Sequence, residues 1–66
     1  MRVTINGQAR DLPDGATVAA VVSQVTDAER GVAVALNEEV VPRAAWPTTP
    51  VRDADRVEIL TAVQGG

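Results

Sequence analysis

The sequence predicts an α+β fold in which one helix packs across a mixed sheet of about five strands. Two observations lead to this prediction. Segments near both ends of the chain alternate apolar and polar residues, which is typical of half-buried strands. One segment between them repeats its valines at the spacing of a helix. With 66 residues, 45% of them apolar, the chain has room for one small domain and one core.

The chain begins with the pattern of a β-hairpin. Apolar and polar residues alternate over Arg2–Asn6, so that one face of a strand is apolar. Asn6-Gly7 follows, a dipeptide that tolerates the positive φ angles of a type I′ turn. Gln8–Leu12 can then return antiparallel to the first strand. Pro13-Asp14-Gly15 ends the hairpin, because proline cannot donate a hydrogen bond to a sheet and Asp-Gly favours a reversal.

A helix is predicted after Thr17, whose side chain is suited to cap the helix N-terminus. Four valines then recur at helical spacing and form one apolar stripe: Val18, Val21, Val22 and Val25. Valine is a poor helix former, so this prediction places periodicity above local propensity. We expect the helix to end before Gly31, which stands where an αL cap or a loop residue is needed.

Two further strands are predicted in the middle of the chain. Val32–Leu36 contains no polar residue, which is typical of a strand that is covered on both faces and central in its sheet. Residues 37–39 form a polar turn, and Val40-Val41 forms a brief strand before a proline. Residues 43–51 are predicted to be an irregular connection with one helical turn.

The last strand is predicted over Arg56–Val63, after a turn at residues 53–55. Alternation places Val57 and Ile59, with Thr61, on one face and Glu58, Leu60 and Ala62 on the other. The order of the elements is that of a β-grasp fold, in which the first and last strands lie parallel in the middle of the sheet. This fold accounts for residues 1–63, and residues 64–66 follow as a flexible tail that ends in Gly-Gly.

Composition excludes several classes of function. The chain contains no cysteine and no histidine, so disulfides, zinc sites and thiol or imidazole catalysis are not expected. A net charge of −3 argues against a nucleic-acid partner. No apolar run approaches the roughly 20 residues of a membrane span, and no secretory signal is recognisable, so we expect a cytoplasmic protein. A domain this small favours binding or carrier roles over an enzyme with an enclosed active site.

The chain ends in Gly65-Gly66, directly after the last strand. Two residues without a Cβ form a thin thread that can enter a narrow partner site and present an unhindered α-carboxylate. The alternative is an ordinary frayed terminus.

With this terminus the sequence resembles the ThiS family, the sulfur carriers of thiamine biosynthesis within the ubiquitin-like β-grasp group. The resemblance extends over essentially the whole chain. The matching segments are Val3–Gly7, Leu12–Val18, Val32–Asn37, Val41-Pro42-Arg43 with Trp46, and Asp55–Gly66. The sequence departs from the family pattern at Asn37-Glu38, where members often have Asn-Gly.

The resemblance implies a carrier site at Gly66, supported by Gly65. An E1-like adenylating enzyme of the ThiF type would join the carboxylate to AMP, and a persulfide-donating protein would convert it to a thiocarboxylate. Thiazole synthase of the ThiG type would then receive the sulfur. ATP would be bound by the partner, because the chain has no lysine and no phosphate-binding loop. The chain itself would hold no cofactor and would not be an enzyme.

Leu60 is the first candidate for partner docking. It is an apolar residue near the tail, and alternation places it on the face of the last strand opposite Ile59. Glu58 and Val63 are predicted to take part with it. The alternative is an ordinary exposed leucine. Trp46, between prolines, is predicted to close the edge of the core and not to anchor a partner.

Several acidic residues could attract a basic partner, or could simply favour solubility. They are Glu38, Glu39, Asp53, Asp55 and Glu58. Paired carboxylates for acid–base catalysis are not expected, because nothing in the sequence predicts a pocket around them.

Three alternative functions remain open. The first is a sister carrier, either the small subunit of molybdopterin synthase or a tRNA-thiolation carrier. The second is a non-covalent β-grasp interaction domain with an inert tail, and the third is a modifier joined to lysine amines through Gly66. Chain length and the block from Leu60 to Gly66 favour thiamine biosynthesis. A carrier that inserts its tail into two partners is most simply a monomer.

Overall fold

A computed structural model describes residues 1–28 and 30–62. Within these residues the chain forms five strands, one α-helix and one 3-10 helix. Their bounds are β1 Arg2–Ile5, β2 Gln8–Asp11, α1 Val18–Val25, β3 Val32–Leu36, β4 Glu39–Val40, the 3-10 helix Arg43–Thr48, and β5 Arg56–Thr61. The predicted last strand ran to Val63, which lies outside the described residues.

The strands form one sheet in the order β2-β1-β5-β3-β4. β1 and β5 are parallel, and the other neighbouring pairs are antiparallel. β5 therefore lies in the centre of the sheet, between the β1–β2 hairpin and the β3–β4 hairpin. This arrangement, with a single α-helix on one face, confirms the predicted β-grasp fold.

Helix α1 starts as the sequence predicts and ends, as predicted, before Gly31. The Thr17 hydroxyl accepts a hydrogen bond from the Ala20 N–H at 3.3 Å, which confirms the N-cap. The helix ends at Val25, which is already 37% exposed. Thr26 is extended and its hydroxyl accepts from the Ala28 N–H at 3.0 Å, a local hydrogen bond that competes with further helix. The helix thus ends before Gly31, which is a loop residue with φ +70°, one of the two roles predicted for it.

The core lies between the helix and one face of the sheet. Its buried side chains are Val3, Ile5, Leu12, Val18, Val21, Val22, Val34, Trp46, Val51, Val57 and Ile59. Leu36, at the end of β3, is half-buried at the margin of this core. Trp46 is 6% exposed and its Nε1–H donates to the Val41 carbonyl at 2.9 Å, so its predicted role at the edge of the core is confirmed.

The prediction that β3 is covered on both faces is wrong. Val34 is buried against the helix side, whereas Ala33 is exposed on the opposite face. β3 lies inside the sheet, but the helix covers only one of its faces. An uninterrupted apolar run does not distinguish a strand covered on both faces from one covered on a single face when the outward residues are alanines. Exposure of a methyl group to water costs little free energy.

Candidate functional site

The predicted carrier residues Gly65 and Gly66, and the predicted docking residue Val63, lie outside the described residues. The part of the site that the structure describes is the strand that leads to them. β5 runs through the centre of the sheet, and Ala62 follows its last residue, Thr61. The contacts of β5 therefore fix the backbone up to Ala62, the last described residue.

On one side, β5 pairs with β3 along its length. The register runs from Leu36 opposite Val57 to Val32 opposite Thr61. One residue further on, the Ala62 N–H donates to the Gly31 carbonyl at 2.6 Å. The backbone is thus held on the β3 side up to the last described residue.

Gly31 allows this close approach. Its φ is +70°, and a Cβ at this position would lie 2.9 Å from the Ala62 Cβ. An added methyl group would therefore meet both backbone strain and a steric clash. The sequence indicated a loop glycine here but gave no sign of the contact with Ala62, because the two residues are far apart in the chain and meet only through the register of β3 with β5.

On its other side, β5 runs past the end of β1. The backbone pairing stops with Ile5 opposite Val57, and the Asn6 N–H donates to the Val57 carbonyl at 2.9 Å. Beyond this point the side chain of Asn6, and not the backbone of β1, forms hydrogen bonds with β5. Its Nδ2 donates to the Ile59 carbonyl at 3.1 Å, and its Oδ1 accepts from the Ile59 N–H at 2.8 Å. From the sequence, Asn6 was predicted only as a turn residue.

The face of the sheet opposite the helix carries an exposed apolar region beside the end of β5. Leu60 is 72% exposed and Val40 is 79% exposed. Between them β3 contributes small side chains, with Ala33 opposite Leu60 and Ala35 opposite both Glu58 and Val40. These residues surround a shallow hollow of about 190 Å³. We call Ala33, Ala35, Val40, Glu58 and Leu60 the open-face patch.

The open-face patch brings together two of the three predicted docking residues. Leu60 and Glu58 lie on the same face of β5 and both line the hollow. Val40 was not predicted as part of the surface, since the sequence indicated a brief strand there without showing which face it presents. The cross-strand register supplies that information, because Val40 lies opposite Ala35 and Ala35 lies opposite Glu58.

The acidic residues do not act as one group. Asp53 accepts a hydrogen bond from the Arg2 N–H at 2.7 Å, and Asp55 accepts one from the Arg52 N–H at 2.7 Å. Both carboxylates thus stabilise the turn before β5. Glu38 lies 3.2 Å from the Arg56 guanidinium. Among the described residues, no ion pair involves Glu58, so its exposed charge is available to the open-face patch.

Residues 1–28 and 30–62 contain no cluster of three or more His, Cys, Asp or Glu side chains that could hold a metal ion. No helix among them is long and apolar enough to span a membrane.

Comparison with known proteins relates the whole chain to one family. The ThiS family model matches residues 3–66. The chain is 32% identical over 66 residues to the sulfur carrier protein ThiS of Escherichia coli K12, with all of both chains covered. It is 41% identical over 64 residues to the ThiS protein of Thermus thermophilus, which covers 97% of this chain and 98% of the relative.

The chain also matches part of a longer protein. All 66 residues match a thiazole synthase of Paramagnetospirillum magneticum at 35% identity, and the match spans 20% of that protein.

Solved structures agree with the sequence comparison. The crystal structure of the thiamine biosynthesis protein ThiS from Geobacter metallireducens superimposes with a TM-score of 0.80 at 35% identity, covering all of both chains. A solution structure of a thiamine biosynthesis protein from the same organism gives a TM-score of 0.82 at 36% identity, covering all of this chain and 88% of the other. By the match of the family model, by full-length relatives and by fold, the chain belongs to the ThiS family, the sulfur carrier proteins of thiamine biosynthesis.

Proposed function

We propose that this chain carries sulfur as a thiocarboxylate on Gly66 and delivers it for construction of the thiazole ring of thiamine. One observation supports the proposal above all. The central strand β5 leads directly from the exposed Leu60 towards the Gly65-Gly66 end, so a partner that binds the open-face patch has the terminus within reach.

The chemistry requires activation of the carboxylate. A carboxylate resists substitution because its leaving group would be oxide. An E1-like adenylating enzyme of the ThiF type joins Gly66 to AMP and releases pyrophosphate from ATP. The terminal sulfur of a protein persulfide then attacks the carbonyl and AMP leaves, which gives an acyl disulfide. A thiol cleaves the sulfur–sulfur bond, so that the thiocarboxylate remains on Gly66 and a disulfide remains on the donor.

This chain supplies none of the catalytic groups in that sequence of steps. It has no cysteine, so persulfide and thiol belong to partner proteins. It has no lysine and no phosphate-binding loop, so we assign ATP to the adenylating enzyme. We therefore propose a cosubstrate and not an enzyme, working in the cytoplasm where ATP and the adenylating enzyme are present.

Thiazole synthase of the ThiG type is the proposed acceptor of the sulfur. The similarity to part of the Paramagnetospirillum magneticum thiazole synthase supports this assignment, because a segment like the carrier belongs there to the same polypeptide as the synthase. Residues 1–63 would form the folded domain and residues 64–66 the tail that enters each partner.

We further propose that the adenylating enzyme docks on the open-face patch, with Leu60 as the apolar anchor and Val40 beside it. Glu58 would pair with a basic residue of that enzyme, and Val63 would extend the contact towards the tail. Leu60→Ser is expected to raise KM for the carrier about tenfold, because an exposed anchor contributes to binding and not to stability. Val25→Ser is the matched control. It replaces an exposed apolar residue on helix α1, outside the open-face patch, and should leave KM unchanged.

The direct test of the carrier proposal is intact mass. The chain is incubated with ATP, magnesium, the adenylating enzyme and a persulfide source. A gain of about 16 Da on the C-terminal peptide is expected, because sulfur replaces one oxygen. A chain without Gly66 is the control, and it should show no gain.

Two results would contradict the carrier proposal. One is no gain in mass with partners that thiocarboxylate another ThiS protein. The other is an equal gain in the shortened chain. If one of these two results is obtained and the shortened chain also binds the adenylating enzyme with full affinity, the protein is a non-covalent interaction domain.

A further inference from the structure

We infer that Asn6 is a positioning residue for the carrier reaction, because its side-chain amide fixes the point at which the chain leaves the fold. This inference rests on the proposed function, in which the segment after β5 enters a partner. It concerns a residue that is not part of the open-face patch, and it assigns to Asn6 a role beyond that of a turn residue.

The contacts of Asn6 reproduce those of a strand residue. In the parallel β1–β5 ladder the hydrogen bonds fall on every second residue of β5, so that after Asp55 and Val57 the next residue to be bonded is Ile59. Asn6 Nδ2 and Oδ1 supply the donor and the acceptor for the carbonyl and the N–H of Ile59, at 3.1 and 2.8 Å. The side chain of Asn6 therefore continues the β1–β5 ladder after the backbone of β1 has turned away.

The backbone N–H and carbonyl of Ile59 depend on these hydrogen bonds, because Ile59 is buried. Its side chain is 4% exposed and packs in the core, so its backbone polar groups lie where loss of a partner is costly. Beyond Ile59, the described contacts of the β5 backbone come from the β3 side, through the pairing of Thr61 and the hydrogen bond of Ala62 to Gly31. Without Asn6, the stretch from Ile59 to Ala62 would be held along one edge only.

A strand held along one edge samples more orientations. The adenylating enzyme would then have to order this stretch at the moment of binding, and the entropy of ordering would weaken the complex. Once the complex is formed, Gly66 is the same group in the same active site. We therefore expect removal of the Asn6 amide to raise KM for the carrier and to leave kcat unchanged.

The chain contains its own matched control. Asn37 also starts a two-residue turn with φ 51°, as Asn6 does. Its Oδ1 accepts from the Arg56 N–H at 2.9 Å, and its Nδ2 donates to Asp55 at 3.0 Å. Asn37 thus holds the beginning of β5, whereas Asn6 holds the part next to the exit. Asn6→Gly and Asn37→Gly both keep a residue that tolerates positive φ and remove only the amide.

The experiment compares the two variants with the unsubstituted chain at a temperature at which all three are fully folded. Amide hydrogen exchange measures the local effect, and steady-state kinetics with the adenylating enzyme measures the functional one. In Asn6→Gly the Ile59 amide should exchange about tenfold faster. KM for the carrier should rise about fivefold, with kcat within about twofold of its original value. Asn37→Gly should lose stability yet keep KM.

The inference is overturned if the two variants have the same KM, or if Asn6→Gly lowers kcat and leaves KM unchanged. Should Asn6→Gly fail to fold, Asn6→Asp replaces it, since aspartate keeps the acceptor for the Ile59 N–H and loses the donor. Its KM must still rise. Failure of the proposed function has a different signature, because then even the unsubstituted chain gains no sulfur, while the exchange of Ile59 still reports whether Asn6 holds β5.

Discussion

The two hairpin turns have the same backbone shape and different sequences. Asn6-Gly7 connects β1 to β2, and Asn37-Glu38 connects β3 to β4. The first residue of each turn has φ 51°, and the second has φ 82° at Gly7 and 73° at Glu38. Positive φ at both positions is the type I′ geometry. Glycine adopts it freely, whereas a residue with a Cβ is strained there.

Both turns begin with an asparagine that is hydrogen-bonded to β5, and they differ in the residue that follows. With Gly7 the β1–β2 turn is also favoured by local sequence, whereas with Glu38 the β3–β4 turn depends on its tertiary contacts. Asn37 bonds to Arg56 and Asp55, and its N–H donates to the Arg56 carbonyl at 2.8 Å. These contacts with the start of β5 fix the turn, and in this turn Glu38 adopts a left-handed backbone conformation with φ 73°. The departure from Asn-Gly noted in the sequence is therefore a local strain and not a change of turn type.

Asn6→Ala should have the largest effect on stability of any change in the two turns. It removes both hydrogen bonds to Ile59 and places a Cβ-bearing apolar residue at φ 51°. We expect a loss of about 2–4 kcal/mol in the free energy of unfolding, measured in urea. Asn37→Ala, whose hydrogen bonds are exposed, should lose less. Equal losses would show that burial of the Ile59 backbone is unimportant.

Gly7→Ala tests backbone strain alone. A Cβ at Gly7 would have no atom within 4 Å, so no clash accompanies the substitution. The left-handed conformation should cost about 1–2 kcal/mol, observed as a lower urea midpoint with an unchanged slope. An unchanged urea midpoint would mean that the hairpin adopts another type of turn without loss of stability.

Glu38→Gly is the reverse experiment and should stabilise the protein. It restores the residue that the turn geometry favours, and the gain is reduced by the larger entropy of glycine in the unfolded chain. A net gain of about 0.5–1 kcal/mol is expected from thermal unfolding. The opposite sign would indicate that the Glu38 side chain contributes more than the strain costs.

Glu38→Gln separates that side-chain contribution from the strain. The pair between Glu38 and Arg56 spans 3.2 Å, but its side chains are 78% and 53% exposed. A pair this exposed contributes only about 0–0.5 kcal/mol, and salt screens it. The variant should therefore match the original chain at high salt and differ slightly at low salt.

Much of the fold follows from local patterns in the sequence. The Asn6-Gly7 hairpin, the cap at Thr17 and the alternation of β5 were all predicted, because each depends on residues close together in the chain. The exposed Leu60 followed from the same alternation. The whole-chain resemblance then identified the family.

The remaining features depend on contacts between distant residues. Asn6 and Ile59 are 53 positions apart, and no local pattern indicates that one side chain pairs with the other backbone. Val40 joins the open-face patch only through the register of β3 with its two neighbours. The error at β3 has the same origin, since the coverage of a strand depends on how much of the sheet one short helix can reach.

The central position of β5 also affects how the protein folds. The two hairpins are each local, but they are joined into one sheet only through β5, which follows all the other elements in the chain. Pairing Thr4 with Arg56 requires closure of a loop that comprises most of the sequence. Such non-local pairing is slow compared with hairpin formation, so we expect one cooperative transition limited by docking of β5. A chain in which that step has not occurred lacks the open-face patch, which combines residues of β3, β4 and β5, so under the proposed function only folded carriers would dock on the adenylating enzyme.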